Sequence, residues 1–251
     1  MPERGDRPSE PARVAVILAA GVGSRLRPLT DDRPKALVPV SGRTILERAI
    51  AALAGHGVSR LVVATGYREE ALRRALADAP IEVVFRPNPD FDRTQNAVSL
   101  ALCRDTLEGA AFYKLDGDVL FDPAILSRLD AATAPLAAAL DRGRLLDAEA
   151  MKARLAPGGR RIAAFGKGIV LADSAGESIG IERVSASASS LLFDGLDRAR
   201  RAGRTDLYYE DVYSELIAAG LAAEAVDVTG LTWCEVDSPE DLAQASALFP
   251  A

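Results

Sequence analysis

The residues best suited to chemistry lie early in the chain. Gly21-Val22-Gly23-Ser24 is followed in one stretch by Arg25, Arg27, Arg33 and Lys35. Small residues let backbone N–H groups point into a shared concavity, and spaced cations neutralise negative charge, so the pattern suits a polyphosphate. The same letters also describe an ordinary strand-to-helix turn with surface arginines, and the residues alone leave both readings open. A GxxxxGK[ST] loop is excluded because no Gly-Lys-Ser/Thr occurs. A GxGxxG fingerprint is excluded because Leu26 stands where its third glycine belongs.

Three further groups carry polar chemistry. Asp116-Gly117-Asp118 ends an apolar run, and a carboxylate at a strand terminus beside a polyphosphate suits magnesium, which takes one or two carboxylates plus phosphate and water oxygens. A solvated turn is the plain alternative. Asn88, Thr94, Gln95, Asn96 and Ser99 form a cluster in PNPDFDRTQNAVSL whose amides suit a nucleobase edge, although an Asn-Pro turn and a helix cap account for part of it. Tyr208-Tyr209-Glu210-Asp211 offers aromatic faces and carboxylates to a cationic head group, or else core tyrosines followed by first-turn acids. Lys167, on the bend Gly166-Lys167-Gly168, is a candidate for meeting a second anion, a phosphate or phosphonate, against a surface lysine in a hairpin. Lysine is scarce here, with only Lys35, Lys114, Lys152 and Lys167 in the chain.

Alternating strands and helices are the expected scaffold for these residues. Strands are expected at Arg13–Ala19, Val58–Thr65, Ile81–Phe85 and Ala110–Leu115. Between them, helices are expected from the Thr44/Glu47 capping box to Ala54, over Arg68–Ala77 and over Thr94–Arg104. This alternation implies a doubly wound, mostly parallel α/β sheet, Rossmann-like, with ligand at the C-terminal strand ends. There the glycine loop, Gly66, Asn88 and Asp118 converge. The later half reads as a short helix (Asp122–Asp130), strands at Ala134–Leu140, Arg161–Ala172 and Ser178–Val184, and an ambiguous stretch at Leu145–Leu155. Helices at Ala186–Ala202 and Thr205–Ala219 follow, then strands at Ala223–Val228 and Thr232–Val236. Ser238 caps a last helix, with Pro239 at its first position and Asp241 at its third. No repeat or linker interrupts residues 13–251. They are expected to form one domain, with a half that carries the glycine loop (13–130) and a smaller lobe (131–251).

Composition narrows the partners. The 251 residues are 49% hydrophobic, and the formal charge of −6 argues against nucleic acid or an anionic membrane surface. Cys103 and Cys234 show no CxxC spacing, so neither a disulfide framework nor a structural zinc site is expected. The lone His56, in Gly-His-Gly, reads as a helix C-cap rather than a catalytic base. No apolar run reaches the length of a membrane span, and the first twelve residues read as a disordered cytosolic tail.

The stretch Leu18 to Leu37 resembles the signature LAAGxGxRLxPLTxxxPKxL of nucleotidyltransferases that join an NTP to a phosphorylated small molecule. Leu18-Ala19-Ala20-Gly21, Gly23, Arg25-Leu26, Pro28-Leu29-Thr30 and Pro34-Lys35 match it. The length of this match favours the polyphosphate reading of the loop. Two later segments, NPDFDRTQNAVSL and WCEVDSPEDL, together with YYED, resemble the choline-phosphate cytidylyltransferase branch rather than the sugar-phosphate branch.

The resemblance implies a GT-A-like fold, a cytoplasmic enzyme acting as monomer or homodimer, and CMP transfer from CTP to a small phosphorylated alcohol or phosphonate with Mg2+. Arg25, Lys35 and Asp118 would be catalytic, and Asp118 with Asp237 would hold the metal. Leu18, Ala19, Ala20, Gly21, Gly23 and Ser24 would contact the nucleotide, as would Gly66, Asn88, Thr94, Gln95, Asn96 and Asp116. Residues 13–130 would be the nucleotide-binding half and 131–251 a smaller acceptor-binding lobe, in which Lys167, Glu182, Tyr208, Tyr209, Glu210 and Asp211 would serve the acceptor. Another NTP, a sugar or inositol phosphate as acceptor, and a nucleotide-binding regulator without catalysis remain as alternatives.

Overall fold

A computed structural model describes residues 11–251. The expected tail therefore lies mostly outside the described residues. Ala12 departs from that expectation, because it is buried in the core. In chain order the strands of the first half are β1 (Val14–Leu18), β2 (Pro39–Val40), β3 (Arg43–Thr44), β4 (Arg60–Thr65), β5 (Glu82–Pro87), β6 (Phe112–Asp116) and β7 (Val119–Phe121). Its helices are α1 (Ile45–Gly55), α2 (Glu69–Ala75), α3 (Asn96–Ala101), α4 (Arg104–Leu107) and α5 (Ala124–Asp130). The second half adds β8 (Leu136–Asp141), β9 (Lys152–Leu155), β10 (Ile162–Gly166), β11 (Gly176–Val184), β12 (Ala223–Asp227) and β13 (Trp233–Glu235). Its helices are α6 (Ala186–Arg201), α7 (Tyr209–Ala218) and α8 (Pro239–Leu248).

The first half is a parallel sheet in the order β5-β4-β1-β6, as the alternating pattern requires. The second half extends it with antiparallel neighbours: β11 lies against β6 and β8, and β9 joins β10 and β11. Strand β12 rejoins in parallel against β8. The central strand shows why a nearly all-apolar run was needed there. Ala15 and Ile17 enter one core layer with α1 and α5, while Val16 enters the other with α3, α6 and α7. Both faces are covered, so neither can be polar.

The local signals mostly hold. Glu47 N donates to Thr44 Oγ1 and Thr44 N donates to Glu47 Oε2, which is the expected capping box. Ser238 and Asp241 exchange the same pair of bonds at α8. His56 is the C-cap residue of α1, with Nε2 2.7 Å from Asp130. Three expected elements differ. The helix foreseen at Thr94–Arg104 breaks at Leu102-Cys103 into α3 and α4. The strand foreseen at Arg161–Ala172 stops at Gly166, and a 3-10 turn follows at Leu171–Asp173. The helix foreseen at Thr205 begins at Tyr209, because Thr205 O accepts from Gln95 N and the chain bends at Asp206 before the extended Tyr208 cap.

Candidate active site

A cleft of about 770 Å³ opens where the strand ends of the parallel half meet the second half. Its floor is the end of β1 and the glycine loop, from Leu18 through Ala19, Ala20 and Gly21 to Gly23 and Ser24. Strand β6 closes against this floor only because residue 117 is glycine. A Cβ there would sit well inside contact distance of the Leu18 carbonyl oxygen. Asp116 and Asp118, on either side of it, both line the cleft.

The two cations and two acids singled out in the sequence meet at one point. Lys35 Nζ lies 2.5 Å from Asp118 Oδ2 and is also bonded to Asp237 Oδ1. Arg25 Nη2 donates to Asp237 Oδ2 at 2.7 Å. Burial lowers the proton affinity of the Lys35 amine, but Asp118 and Asp237 more than offset it and raise its pKa above the usual lysine range. Burial likewise works against Asp237, and Lys35 with Arg25 hold it below the usual carboxylate range. Asp237 reaches this point because β13 pairs with β7, the strand directly after Asp118. That pairing joins residues far apart in sequence.

The donor set suits magnesium. Among the described residues no group of three or more His, Cys, Asp or Glu is arranged to hold a metal. Magnesium needs only one or two carboxylates when substrate phosphates complete its shell. Asp118 and Asp237 present oxygens from two sides to one positive charge, and here the Lys35 ammonium is that charge. The surroundings reinforce the demand for cations, since Asp116, Glu177 and Glu235 line the same cleft. Glu235 is pushed up to about 8, first by burial and then by Asp118 and Asp116.

Of the expected base-side residues, Thr94, Gln95 and Asn96 line the cleft. Asn88 does not. It is 1% exposed, and its side chain donates to Thr94 and Ser99 and accepts from Asp90 N. It fixes the loop rather than facing a ligand. Gly66 also stays outside the cleft lining. A Cβ on it would come within 2.6 Å of Phe91 and 2.8 Å of the Ala20 oxygen, so glycine there lets Phe91 pack against the glycine loop. Phe91 itself lines the cleft, and no local motif marks it.

Of the residues expected to serve an acceptor, Lys167, Tyr208 and Glu210 line the cleft, whereas Tyr209, Asp211 and Glu182 do not. The separation follows helix geometry. Tyr209, Val212 and Tyr213 fall at helical spacing and face the core, which turns Glu210 outward. Tyr209 is fully buried, its hydroxyl donates to Asp116 at 3.0 Å, and the Lys114 ammonium sits 3.4 Å from its ring centroid. Asp211 accepts from Tyr208 N as a cap. Glu182 is fully buried 3.0 Å from Lys114. Glu210 and Glu182 both carry buried carboxylate oxygens with no hydrogen-bond partner, but only Glu210, 4% exposed, lines the cleft. Glu235 was missed by motif, but its position two residues before Asp237, on the strand that leads to it, was the available signal.

A parallel βαβ half, a glycine loop at its strand ends and a cation–carboxylate knot at the loop's mouth define the nucleotidyltransferase class of α/β proteins. The chain belongs to the family of the MobA-like NTP transferase domain, which matches residues 15–169. It is 36% identical over 250 residues to the CMP-5'-(3-aminopropyl)phosphonate synthase of Streptomyces rubellomurinus, covering 94% of this chain and 38% of that longer protein. It is 28% identical to the CTP:phosphoglutamine cytidylyltransferase of Campylobacter jejuni, covering 91% of this chain and 97% of that one. The CTP:phosphocholine cytidylyltransferase structure from Streptococcus pneumoniae superposes with a TM-score of 0.75 at 25% identity, covering 94% of this chain and 98% of that chain. No described helix is long and apolar enough to cross a membrane.

Proposed function

We propose that the chain transfers CMP from CTP to a small molecule bearing a phosphate or phosphonate, with release of pyrophosphate and dependence on magnesium. The observation that carries this reading is the convergence of Arg25, Lys35, Asp118 and Asp237 at the mouth of the glycine loop. The relatives named above, each described as acting with CTP or making a CMP adduct, support cytidine as the base.

In this reading the loop amides and Arg25 and Lys35 grip the triphosphate. An oxygen of the acceptor's phosphate or phosphonate attacks the α-phosphorus in line, the bond to the β-phosphate oxygen breaks, and pyrophosphate leaves with its electron pair. The acceptor arrives as an anion, so no side chain has to remove a proton or form a covalent intermediate. Alignment and charge stabilisation are then the main work. Asp118 and Asp237 would hold Mg2+, which when bound neutralises phosphate charge. Lys167 would meet the acceptor's anionic end. Glu210, buried at the cleft wall with its Oε2 unpartnered and its carboxyl raised by burial, would ionise against a cationic ligand, which favours a phosphocholine-like acceptor with a cationic amine at its far end.

The test is a pyrophosphate-release screen of CTP, UTP, ATP and GTP against phosphocholine, phosphoethanolamine, aminoethylphosphonate, inositol phosphate and a sugar 1-phosphate, with magnesium. Release with CTP and an amine-bearing acceptor is expected. Preference for a sugar or inositol phosphate would overturn the acceptor assignment, and no release with any pair would overturn the enzymatic reading.

A further inference from the structure

Lys152 is unlike the other lysines of the chain. Lys35, Lys114 and Lys167 each face a carboxylate. Lys152, at the start of β9, is 2% exposed, and no carboxylate among the described residues lies within ion-pair distance of it. Its ammonium donates instead to three backbone oxygens: Lys167 O at 2.9 Å, Ala150 O at 3.1 Å and Ala148 O at 3.4 Å. An ammonium has three N–H donors, so these acceptors use its whole capacity. Glu177, the register partner of Lys152 on β11, acts on it only from beyond ion-pair distance, so burying this charge is unfavourable unless those three bonds are made.

The three acceptors belong to two separate parts of the cleft rim. Ala148 and Ala150 lie in the loop after β8, where Asp147 Oδ1 accepts from Glu149 N and Ala150 N and shapes the turn. Lys167 lies on the turn after β10. Both parts supply cleft-lining side chains, Glu149 from one and Lys167 from the other, and these two meet at 3.1 Å. Lys167 also lies 5.1 Å from the Tyr208 ring centroid. One buried ammonium therefore grips the backbone of the very residue whose side chain faces the acceptor.

We propose that Lys152 is a positioning residue that straps the 147–151 loop to the Lys167 turn and so sets where the acceptor's anionic end is received. This rests on the reading that Lys167 serves the acceptor. The strap acts through backbone, so it touches neither the nucleotide loop nor the Asp118–Asp237 pair.

The experiment compares wild type with Lys152→Met, which keeps the length and apolar stem but removes all three donors. Amide hydrogen exchange in residues 147–151 and 166–168 is expected to quicken roughly tenfold or more, while exchange around residues 21–25 stays as in wild type. The KM for phosphocholine or aminoethylphosphonate, whichever wild type turns over, is expected to rise roughly tenfold, with kcat and CTP affinity within about twofold. Unchanged exchange in the two rim segments, or CTP affinity falling in step with acceptor KM, would overturn the strap. Should Lys152→Met not fold, Lys152→Gln keeps two donors. Partial loosening confined to the same segments supports the proposal, and wild-type protection overturns it. A wild type that turns over neither acceptor defeats the functional reading, while the exchange data still judge the strap.

Discussion

The Lys35 ammonium lies 2.5 Å from Asp118 Oδ2 and is bonded to Asp237 as well. The site is thus neutralised from within, since the cations proposed to grip phosphate occupy the acids proposed to hold the metal. Magnesium and triphosphate each have to break these pairs alone, but together they exchange partners, so each should strengthen the other's binding. Lys35→Met separates the two demands. Turnover should fall by about 10²–10³-fold through the lost charge stabilisation. Binding of Mn2+ by itself, followed by titration calorimetry or electron paramagnetic resonance, should tighten by roughly tenfold, as an ion pair worth about 1.4 kcal/mol implies. Unaltered or weaker Mn2+ binding would show that Lys35 does not compete for those oxygens.

Glu210 gives the fold a pH dependence. Its carboxyl is pushed up to about 8, first by burial, with Lys114 opposing and Asp116 and Glu182 adding to the rise. The native state therefore keeps a proton that the unfolded chain releases near pH 4.5. Stability is least affected below that pH and falls as pH rises from about 4.5 to about 8. The loss attributable to Glu210 is on the order of 5 kcal/mol across that window. Urea unfolding of wild type and Glu210→Gln at pH 5.5 and 8.5 measures it. The variant should lose distinctly less stability over this span, and parallel losses would mean that Glu210 is ionised in the folded protein.

Both cysteines should be inert. Burial raises Cys103 to about 12 and Cys234 to about 11, so little thiolate exists at neutral pH, and neither sulfur reaches the surface. Ellman's reagent at pH 8 should label the native protein only on the timescale of unfolding and should label both sites rapidly in urea. Prompt labelling of native protein would place one thiol in a mobile region.

The contrast between the two halves explains what could be read from the letters. Val14–Leu18 and Arg60–Thr65 are short, apolar and flanked by loop residues, and their connections are local, so the parallel half and its glycine loop were legible. The caps at Thr44 and Ser238 depend on residues three apart and were legible for the same reason. The pairing of β11 with β6, β8 and β9 is non-local, and no short pattern encodes it. Strand β9 lay inside a charged stretch, and the strap through Lys152 is invisible without that pairing. In the acceptor lobe, residue type misled where periodicity would have served. Tyr209 sits with Val212 and Tyr213 on the core face of α7, and only Tyr208 and Glu210 turn to the cleft. Similarly, Asn88 has the chemistry of a base reader but is consumed by Thr94, Ser99 and Asp90.

Gly117 tests whether the contact between β6 and β1 sets the catalytic geometry. The residue needs no left-handed backbone, since its φ is not among the positive values of the chain. Its constraint is steric, because any Cβ would collide with the Leu18 carbonyl oxygen and crowd Ala19 Cα. Both neighbours are backbone at the end of the buried strand that leads into the glycine loop, so neither can swing aside. Gly117→Ala should therefore push Asp116 and Asp118 away from the loop. Overpacking of this kind costs about 1–3 kcal/mol, which urea unfolding would register. The larger effect should fall on chemistry, since displacing a catalytic group by about 1 Å can cost about 100-fold in rate. The decisive comparison is with Gly55→Ala, at the end of α1, where a Cβ meets nothing within 4 Å. That control should keep both stability and turnover. A Gly117→Ala enzyme with wild-type turnover would mean that the Asp118 carboxylate can move independently of the strand end that carries it.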